Sequence, residues 1–371
     1  MIPQPLKDEL DRLFGNGWKS VPMGSGGFSG ATVTKIESAL GAYALKPHPI
    51  SFSDRIASTH AFQEFLAART ELPIPSLLHW SPGRLHFSSV QDHSNGQLNG
   101  TPQRPDTLFA MGESCWELAD WMPGEPVRST GWIRDEALNN VIDAIATMHA
   151  HVRDSRPSWP APVDCIESGL ELRASKLTDY MRSGFDRCST QWESIPDRRS
   201  QPVLASLGRI LSLARAIGSR LYKPMQELAT IPVRSHWIAR DLWREHFLFE
   251  GDQLTGIIDF TASKISWPGL DLARSLGTFL LDEDPRWDAS IERYRSAVGQ
   301  KDIDLRDVRV THRVSTILSA MHYVEIACEY TESLQARNRI HEPRVAARIL
   351  ELEICMDSIA KAIAITCSSI P

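Results

Sequence analysis

The sequence predicts an α+β fold in two lobes, a small β-rich N-terminal lobe with one key helix and a larger, mainly helical C-terminal lobe. Three observations carry that expectation. The β-rich runs TVTKI (Thr32–Ile36) and YALK (Tyr43–Lys46) fall early in the chain. Long stretches with apolar residues at helical spacing and few breakers follow from residue 135. Between them the apolar run WELADWMPGEPV stops at Pro123–Gly124, the place of a hinge. The lobes are therefore set at residues 1–121 and 122–371.

The opening MIPQPLKDELDRLFG is polar and amphipathic and lacks the apolar core of a signal peptide. The two early strands are separated by the turn-like Ala39–Gly41. Ser53 to Arg69 carries Ile56, Phe62, Phe65 and Leu66 at mixed helical spacing and is expected to be the key helix. Residues 92–107, rich in Gly, Asn, Pro and Gln, suit an extended surface loop. After the hinge, residues 135–153 present Leu138, Val141, Ile142, Ile145 and Met148 as one stripe, and 203–229 and 309–366 continue in helical pattern. Ile231–Ile265 differs: short apolar runs between charged loops predict a β-rich insertion. There are no internal repeats.

The 371 residues are 42% hydrophobic and 23% charged, the proportions of a soluble globular protein. A net charge of −6 gives no footprint for nucleic acid or an anionic membrane, and no apolar run approaches the roughly 20 residues that span a bilayer. The six cysteines are scattered, with neither a disulfide framework nor zinc-site spacing, which suits a cytoplasmic protein.

Three places carry chemistry. Gly24–Gly30 (GSGGFSG) precedes a β-rich run; glycines let a backbone approach phosphate oxygens, although the same string also suits a flexible hairpin. No GK[ST] follows, so it is not a Walker A loop. Lys46 shares a strand face with Ala44, and a lysine on an inner face needs an anionic partner. Glu64, in the predicted helix, is a candidate to pair with it; an edge-strand lysine and a solvated glutamate is the alternative. The strongest signal is ARDLWREHFLF (Ala239–Phe249) followed by GIIDF (Gly256–Phe260). One carboxylate, Asp241, stands where it can deprotonate an acceptor hydroxyl, and Asp259 where it can hold a divalent metal against phosphates.

In this order the motifs resemble the aminoglycoside phosphotransferase and choline kinase-like superfamily, relatives of the protein kinases. SGGFSGATV is similar to its Gly-rich loop, YALK to its lysine strand, LADWMPGEP to its hinge, and IATMHAH to the helix that follows. ARDLWREHFLF is similar to its catalytic loop and IIDFTASKISWPGLDLA to its metal-binding segment. The resemblance implies a two-lobed protein kinase-like fold with residues 1–121 as the nucleotide-binding lobe. It implies Asp241 as the catalytic base, Asp259 as a metal ligand, Lys46 as the phosphate-binding lysine and Glu64 as its ion-pair partner. Ser25, Gly26, Gly27 and Phe28 would cover the nucleotide, and the backbone of Ala119, Asp120 and Trp121 would receive adenine. Asp271 matches a structural aspartate and is excluded from the chemistry.

Two positions depart from the family pattern. Ala239 stands where a histidine usually opens the catalytic loop, and His246 where an asparagine ligates the second metal. An imidazole suits Mn²⁺ better than hard Mg²⁺; alternatively His246 hydrogen-bonds the loop, or catalysis has been lost. The implied reaction moves the γ-phosphoryl group of ATP or GTP, with Mg²⁺ or Mn²⁺, to a hydroxyl of a small molecule. The rival is a nucleotide-dependent binding module without transfer. Glu325, Glu329 and Glu332, with Tyr323 and Tyr330 in the same stretch, and the cluster Asp282–Asp284 could receive a cationic acceptor; a solvated helix face and a polar loop is the commoner use of such charges. Trp243 and Arg244 sit where an acceptor would approach, and His149 and His151 are expected to be structural.

Overall fold

The computed structural model describes residues 2–23, 33–81, 84–87, 107–154, 163–196, 198–299, 303–329 and 333–368. The chain opens with α1 (Gln4–Phe14), whose Leu6, Leu10 and Phe14 repeat every fourth residue and are buried. Strands β1 (Lys19–Pro22), β2 (Thr34–Ser38) and β3 (Gly41–Pro49) follow, then α2 (Ser53–Arg69). Next come β4 (Leu78–Ser81), β5 (Arg84–Phe87), β6 (Phe109–Met111), β7 (Ser114–Asp120) and the short β8 (Glu125–Pro126). The expected helix at 135–153 is α3 (Asp135–Asp154). Then β9 (Val163–Cys165), α4 (Ser168–Asp179), a π-turn at Tyr180–Gly184, α5 (Phe185–Glu193) and α6 (Pro202–Thr230) lead to the β-rich insertion. This consists chiefly of β10 (Val233–Ile238), β11 (Phe247–Glu250) and β12 (Gln253–Ile257). The remainder is helical: α7 (Gly269–Phe279), α8 (Arg286–Val298), α9 (Leu305–Cys328), α10 (Leu334–His341) and α11 (Pro343–Ser368).

The single helical run expected over 309–366 is three helices. Asp304 and Ser333 accept backbone hydrogen bonds at the starts of α9 and α10. Pro343 holds Glu342 in an extended conformation (ψ 128°), which ends α10 and starts α11. Of the predicted surface loop at 92–107, only Thr107 falls within the described residues, and it is fully buried.

Two compact units emerge, not divided at one boundary. The first comprises Met1–Val127, Ala150–Pro160 and Ala239–Lys264; the second Arg128–His149, Ala161–Ile238 and Ile265–Pro371. The expected lobe boundary at 121/122 would have assigned residues 239–264 to the C-terminal part. They join the first unit because β11 pairs with both β12 and β8, and Ile257 N–H donates to Pro73 O at 2.8 Å.

The core of the first unit is a five-stranded sheet in the order β1-β2-β3-β7-β6. Strand alternation gives it two distinct faces. Tyr43 and Leu45 of β3, with Trp116 and Leu118 of β7, pack in one apolar cluster with the α1 stripe. The opposite face carries Ala44, Lys46 and His48 of β3 beside Ala119, Glu117 and Cys115 of β7. Leu6, Leu10, Leu45 and Leu118 are fully excluded from water, each contributing roughly 1.5–3 kcal/mol of apolar burial. The second unit is built on α6, α9 and α11, with apolar residues along each helix buried among them. Among the described residues, no helix is long and apolar enough to cross a membrane.

Candidate active site

The hairpin β11–β12 creates the site's geometry. Phe247 pairs with Ile257 and Leu248 with Gly256, and one step further Ile258 N–H donates to His246 O at 2.9 Å. His246 and Asp259 therefore emerge side by side at the open end of the ladder. Two non-glycine residues flank this end in left-handed conformations: Arg240 (φ 72°), before the catalytic aspartate candidate, and Asp259 itself (φ 63°). Such backbone costs on the order of 1–3 kcal/mol and persists only where the surroundings fix it.

Asp259 is the centre of the arrangement. Its Oδ1 accepts from Lys46 Nζ at 2.9 Å and from Thr261 Oγ1 at 2.6 Å, while Oδ2 faces His246 Nε2 at 3.8 Å. Burial alone would push its carboxyl up, but Lys46, His246 and Thr261 outweigh burial and hold it at about 2. Burial likewise pulls the Lys46 ammonium down, and Asp259, Glu117 and Asp241 more than restore it, so the lysine stays charged. Thr261 had no signal of its own in the sequence beyond its place two residues after the aspartate.

His246 is oriented by the loop it belongs to. Its Nδ1 lies 2.7 Å from Asp241 O, and because a carbonyl only accepts, Nδ1 carries the hydrogen. In the neutral ring this leaves the Nε2 lone pair on the side of Asp259 Oδ2. Hydrogen-bonding the loop and ligating a cation were alternatives in the sequence; the structure makes them compatible. Asp241 O also accepts from Trp243 N–H at 3.0 Å, closing a tight turn that leads into a 3₁₀ turn at Arg244–His246.

The donor set suits a divalent cation held jointly with a ligand. Among the described residues no cluster of three or more His, Cys, Asp or Glu could hold a metal by protein groups alone. One carboxylate oxygen and one imidazole nitrogen facing each other match a site completed by phosphate oxygens and water.

Other expected site residues behave differently. The Lys46–Glu64 pair is not formed: Glu64 Oε1 lies 2.5 Å from His79 Nε2, on β4. The backbone expected to receive adenine is largely occupied, because β7 continues as a sheet strand through Asp120. Trp121 N–H donates to Ala42 O and Asp120 N–H to Ser76 O, both at 3.0 Å. By the alternation of an antiparallel ladder, Ala119 and Ala44 form a hydrogen-bonded pair of the same kind as Trp121 and Ala42. Met122 N–H, one residue on, has no acceptor among the described residues. Gly124 is required where it stands: its φ is 96°, and a Cβ there would come within 2.9 Å of the Phe249 backbone. Ser25, Gly26, Gly27 and Phe28 lie outside the described residues. Their flanks pair as strands, through Pro22 with Thr34 and a 3.2 Å bond from Met23 N–H to Val33 O.

The acids considered for a cationic acceptor are engaged within the second unit. Asp282 is held by Arg313 at 2.8 Å, Asp284 by Arg286 at 2.8 Å, and Glu283 by Ser358. Glu325 lies 3.9 Å from Arg187 and raises the Tyr180 phenol, to which it is hydrogen-bonded. Glu329 is exposed, just past the end of α9, and Tyr330 and Glu332 lie outside the described residues. Arg244 is buried and meets Glu245 at 3.1 Å. His149 and Asp271 are structural, as expected: both are buried, 3.1 Å apart, and His149 also reaches Tyr294 OH at 2.9 Å.

Residues 23–307 match the model of the phosphotransferase enzyme family. Solved structures share the fold. The microcompartment-associated aminopropanol kinase aligns with TM-score 0.55 and 12% identity over 98% of this chain and 97% of its own. Amicoumacin kinase, solved with AMP-PNP and Ca²⁺, gives 0.53 and 12% over 95% and 93%. The macrolide 2′-phosphotransferase of Brachybacterium faecium gives 0.52 and 14% over 91% and 97%. Among curated proteins none matches.

Proposed function

Since this chain belongs to the phosphotransferase enzyme family, we propose that it moves the γ-phosphoryl group of ATP, or of GTP, to a hydroxyl of a small molecule. The observation that carries the proposal is the meeting of Lys46, Asp259 and His246 at the end of the β11–β12 hairpin, with Asp241 on the adjoining loop. A lysine from β3 meets two groups of one hairpin across 213 residues of chain, and two backbone positions there are left-handed.

In this reading Lys46 supplies the fixed positive charge for the phosphates, which a lysine on an inner strand face does well because its charge is sustained by three carboxylates. Asp259 and His246 Nε2 would hold the cation, whose part when bound is to neutralise charge on the phosphate oxygens. Asp241 orients the acceptor hydroxyl and takes its proton as the oxygen–phosphorus bond forms and the bond to the ADP leaving group breaks. Met122 N–H is the hinge donor left to read the base. The amine-bearing and macrolide acceptors named for the structural neighbours define a starting panel. The engaged state of Asp282, Asp284 and Glu325 removes them as a reason to restrict that panel to cations.

The test is ADP release from ATP with Mg²⁺ and Mn²⁺ in turn, across aminoglycosides, macrolides, amino alcohols, choline-like amines and sugars, beside Asp241→Asn. Acceptor-dependent release that disappears in the variant supports the assignment. ATP binding with no acceptor-dependent release across the panel would favour a nucleotide-dependent binding module.

A further inference from the structure

Glu117 occupies the position that the sequence reserved for Glu64. It stands directly opposite Lys46 across the β3–β7 ladder, so both side chains project from the same face of the sheet. Its Oε2 lies 2.9 Å from His48 Nε2 and 2.9 Å from His60 Nε2. A carboxylate oxygen only accepts, so His60 Nε2, which is hydrogen-bonded to it, carries its hydrogen, whereas His48 Nε2 lies close without being aligned for a hydrogen bond. His60 Nδ1 is then an acceptor, and it lies 2.8 Å from the hydroxyl of the fully buried Thr107.

These bonds tie α2 to the lysine strand's neighbour. His60 lies one turn before Glu64 on α2, and it reaches the sheet where Glu64 does not. Burial would push the Glu117 carboxyl up, but His48, His60 and Lys46 hold it well below the usual carboxylate range. It is therefore a fixed negative charge, held by a hydrogen bond from His60 with the His48 ring beside it. No direct ion pair joins Glu117 to Lys46; the attraction acts through space, in surroundings largely excluded from water, where it is screened less than at the surface.

We propose that Glu117, held by His60 and opposite Lys46 in the β3–β7 ladder, is the positioning carboxylate for Lys46 in nucleotide binding. The inference rests on the nucleotide-binding reading given above. Lys46 is bonded here to Asp259, yet Asp259 is also the carboxylate suited to a cation. When Asp259 is shared with a cation and the lysine turns to phosphate, a second fixed carboxylate must hold the ammonium on this face of the sheet. Glu117 is the group placed to do so, and α2 acts through His60.

The experiment compares the Kd for ATP and for adenosine in the full chain with Mg²⁺, for wild type, Glu117→Gln and Glu64→Gln. Glu117→Gln is expected to weaken ATP at least tenfold and to leave adenosine within twofold, since adenosine has no phosphate for Lys46 to hold. Glu64→Gln is expected to change neither by more than twofold. Equal loss of ATP and adenosine would show a merely structural role and overturn the proposal. So would an unchanged Glu117→Gln, or a Glu64→Gln with the same selective loss. If Glu117→Gln does not fold, His60→Gln replaces it: a selective loss of three- to tenfold for ATP supports the proposal, and no selective loss overturns it. A wild type that binds no ATP fails differently, since it removes the nucleotide reading itself and this inference with it.

Discussion

Two histidine–carboxylate clusters, His149–Asp271 in the second unit and His246–Asp259 in the first, are built from the same side-chain types and end in opposite states. In the second unit, both ring nitrogens of His149 are used, by Asp271 at 3.1 Å and Tyr294 at 2.9 Å, and both His149 and Asp271 are essentially inaccessible to water. His236 packs edge-on to the same imidazole at 5.1 Å. In the first unit, His246 uses one nitrogen on Asp241 O and leaves the other facing Asp259 across 3.8 Å. Asp259 retains 29% side-chain exposure and sits on a left-handed backbone. A closed cluster spends its polar groups on the fold; an open one keeps a lone pair and a charge for something that arrives later. What separates a brace from a site here is the valence left over, and residue type alone does not reveal it.

Substitutions can break this contrast, and the largest effect is expected at Asp241. Asp241→Asn should lower kcat by about 10²- to 10⁴-fold, the range of general-base catalysis, with ATP affinity little changed. Steady-state kinetics on the acceptor found in the panel checks it; a kcat within threefold of wild type would remove Asp241 as the base. Next comes the closed cluster. His149→Ala strips a buried carboxylate and a buried phenol of their shared partner and should cost on the order of 3 kcal/mol of stability. Denaturant unfolding reads that loss, and ATP affinity should not follow it if the cluster is only a brace.

Asp259→Asn should act on both binding and stability. The folded carboxyl is held down at about 2, below the ordinary aspartate value of about 3.9, so its ionised form contributes stability above about pH 4, lost as pH falls toward 2. The difference is about 2 kcal/mol. Unfolding measured from pH 5 down to pH 2 should be flatter in Asp259→Asn than in wild type, and metal-dependent ATP binding should disappear. Parallel acid profiles for the two proteins would contradict the assigned charge cluster. The smallest effect is expected for His246→Asn, which exchanges an imidazole for an amide oxygen suited to harder cations. The ratio of Mn²⁺- to Mg²⁺-supported activity should fall severalfold; an unchanged ratio would mean that His246 serves the loop alone.

How far the sequence could be read depended on the range of each signal. The hairpin carrying His246 and Asp259 was visible because its two short apolar runs are close in sequence and separated by a charged turn. The strands that flank the Gly-rich string pair with each other, while the string itself lies outside the described residues. The expected pairing of Lys46 with Glu64 is not formed: Glu64 has the helix position but faces His79, whereas Glu117, opposite Lys46 in the ladder, lies 71 residues away on a strand whose register no local pattern fixes. The backbone of Ala119–Trp121, expected to receive adenine, is instead taken up by sheet hydrogen bonds, a fact set by how far β7 extends. The helical run after residue 309 was seen as one because caps at Asp304 and Ser333 carry weaker signals than the periodicity around them.

By itself the sequence determined the element types, the order of the motifs and the identity of Asp241, Lys46 and Asp259 as candidates, because these depend on spacing within a few residues. Tertiary structure alone decided which charges meet. Lys46 reaches Asp259 across 213 residues of chain, and Glu117 is hydrogen-bonded by a histidine from α2. Such pairings depend on strand register and on the rotation of a helix over a sheet, and a shift of one residue in either would send the same side chains to the opposite face.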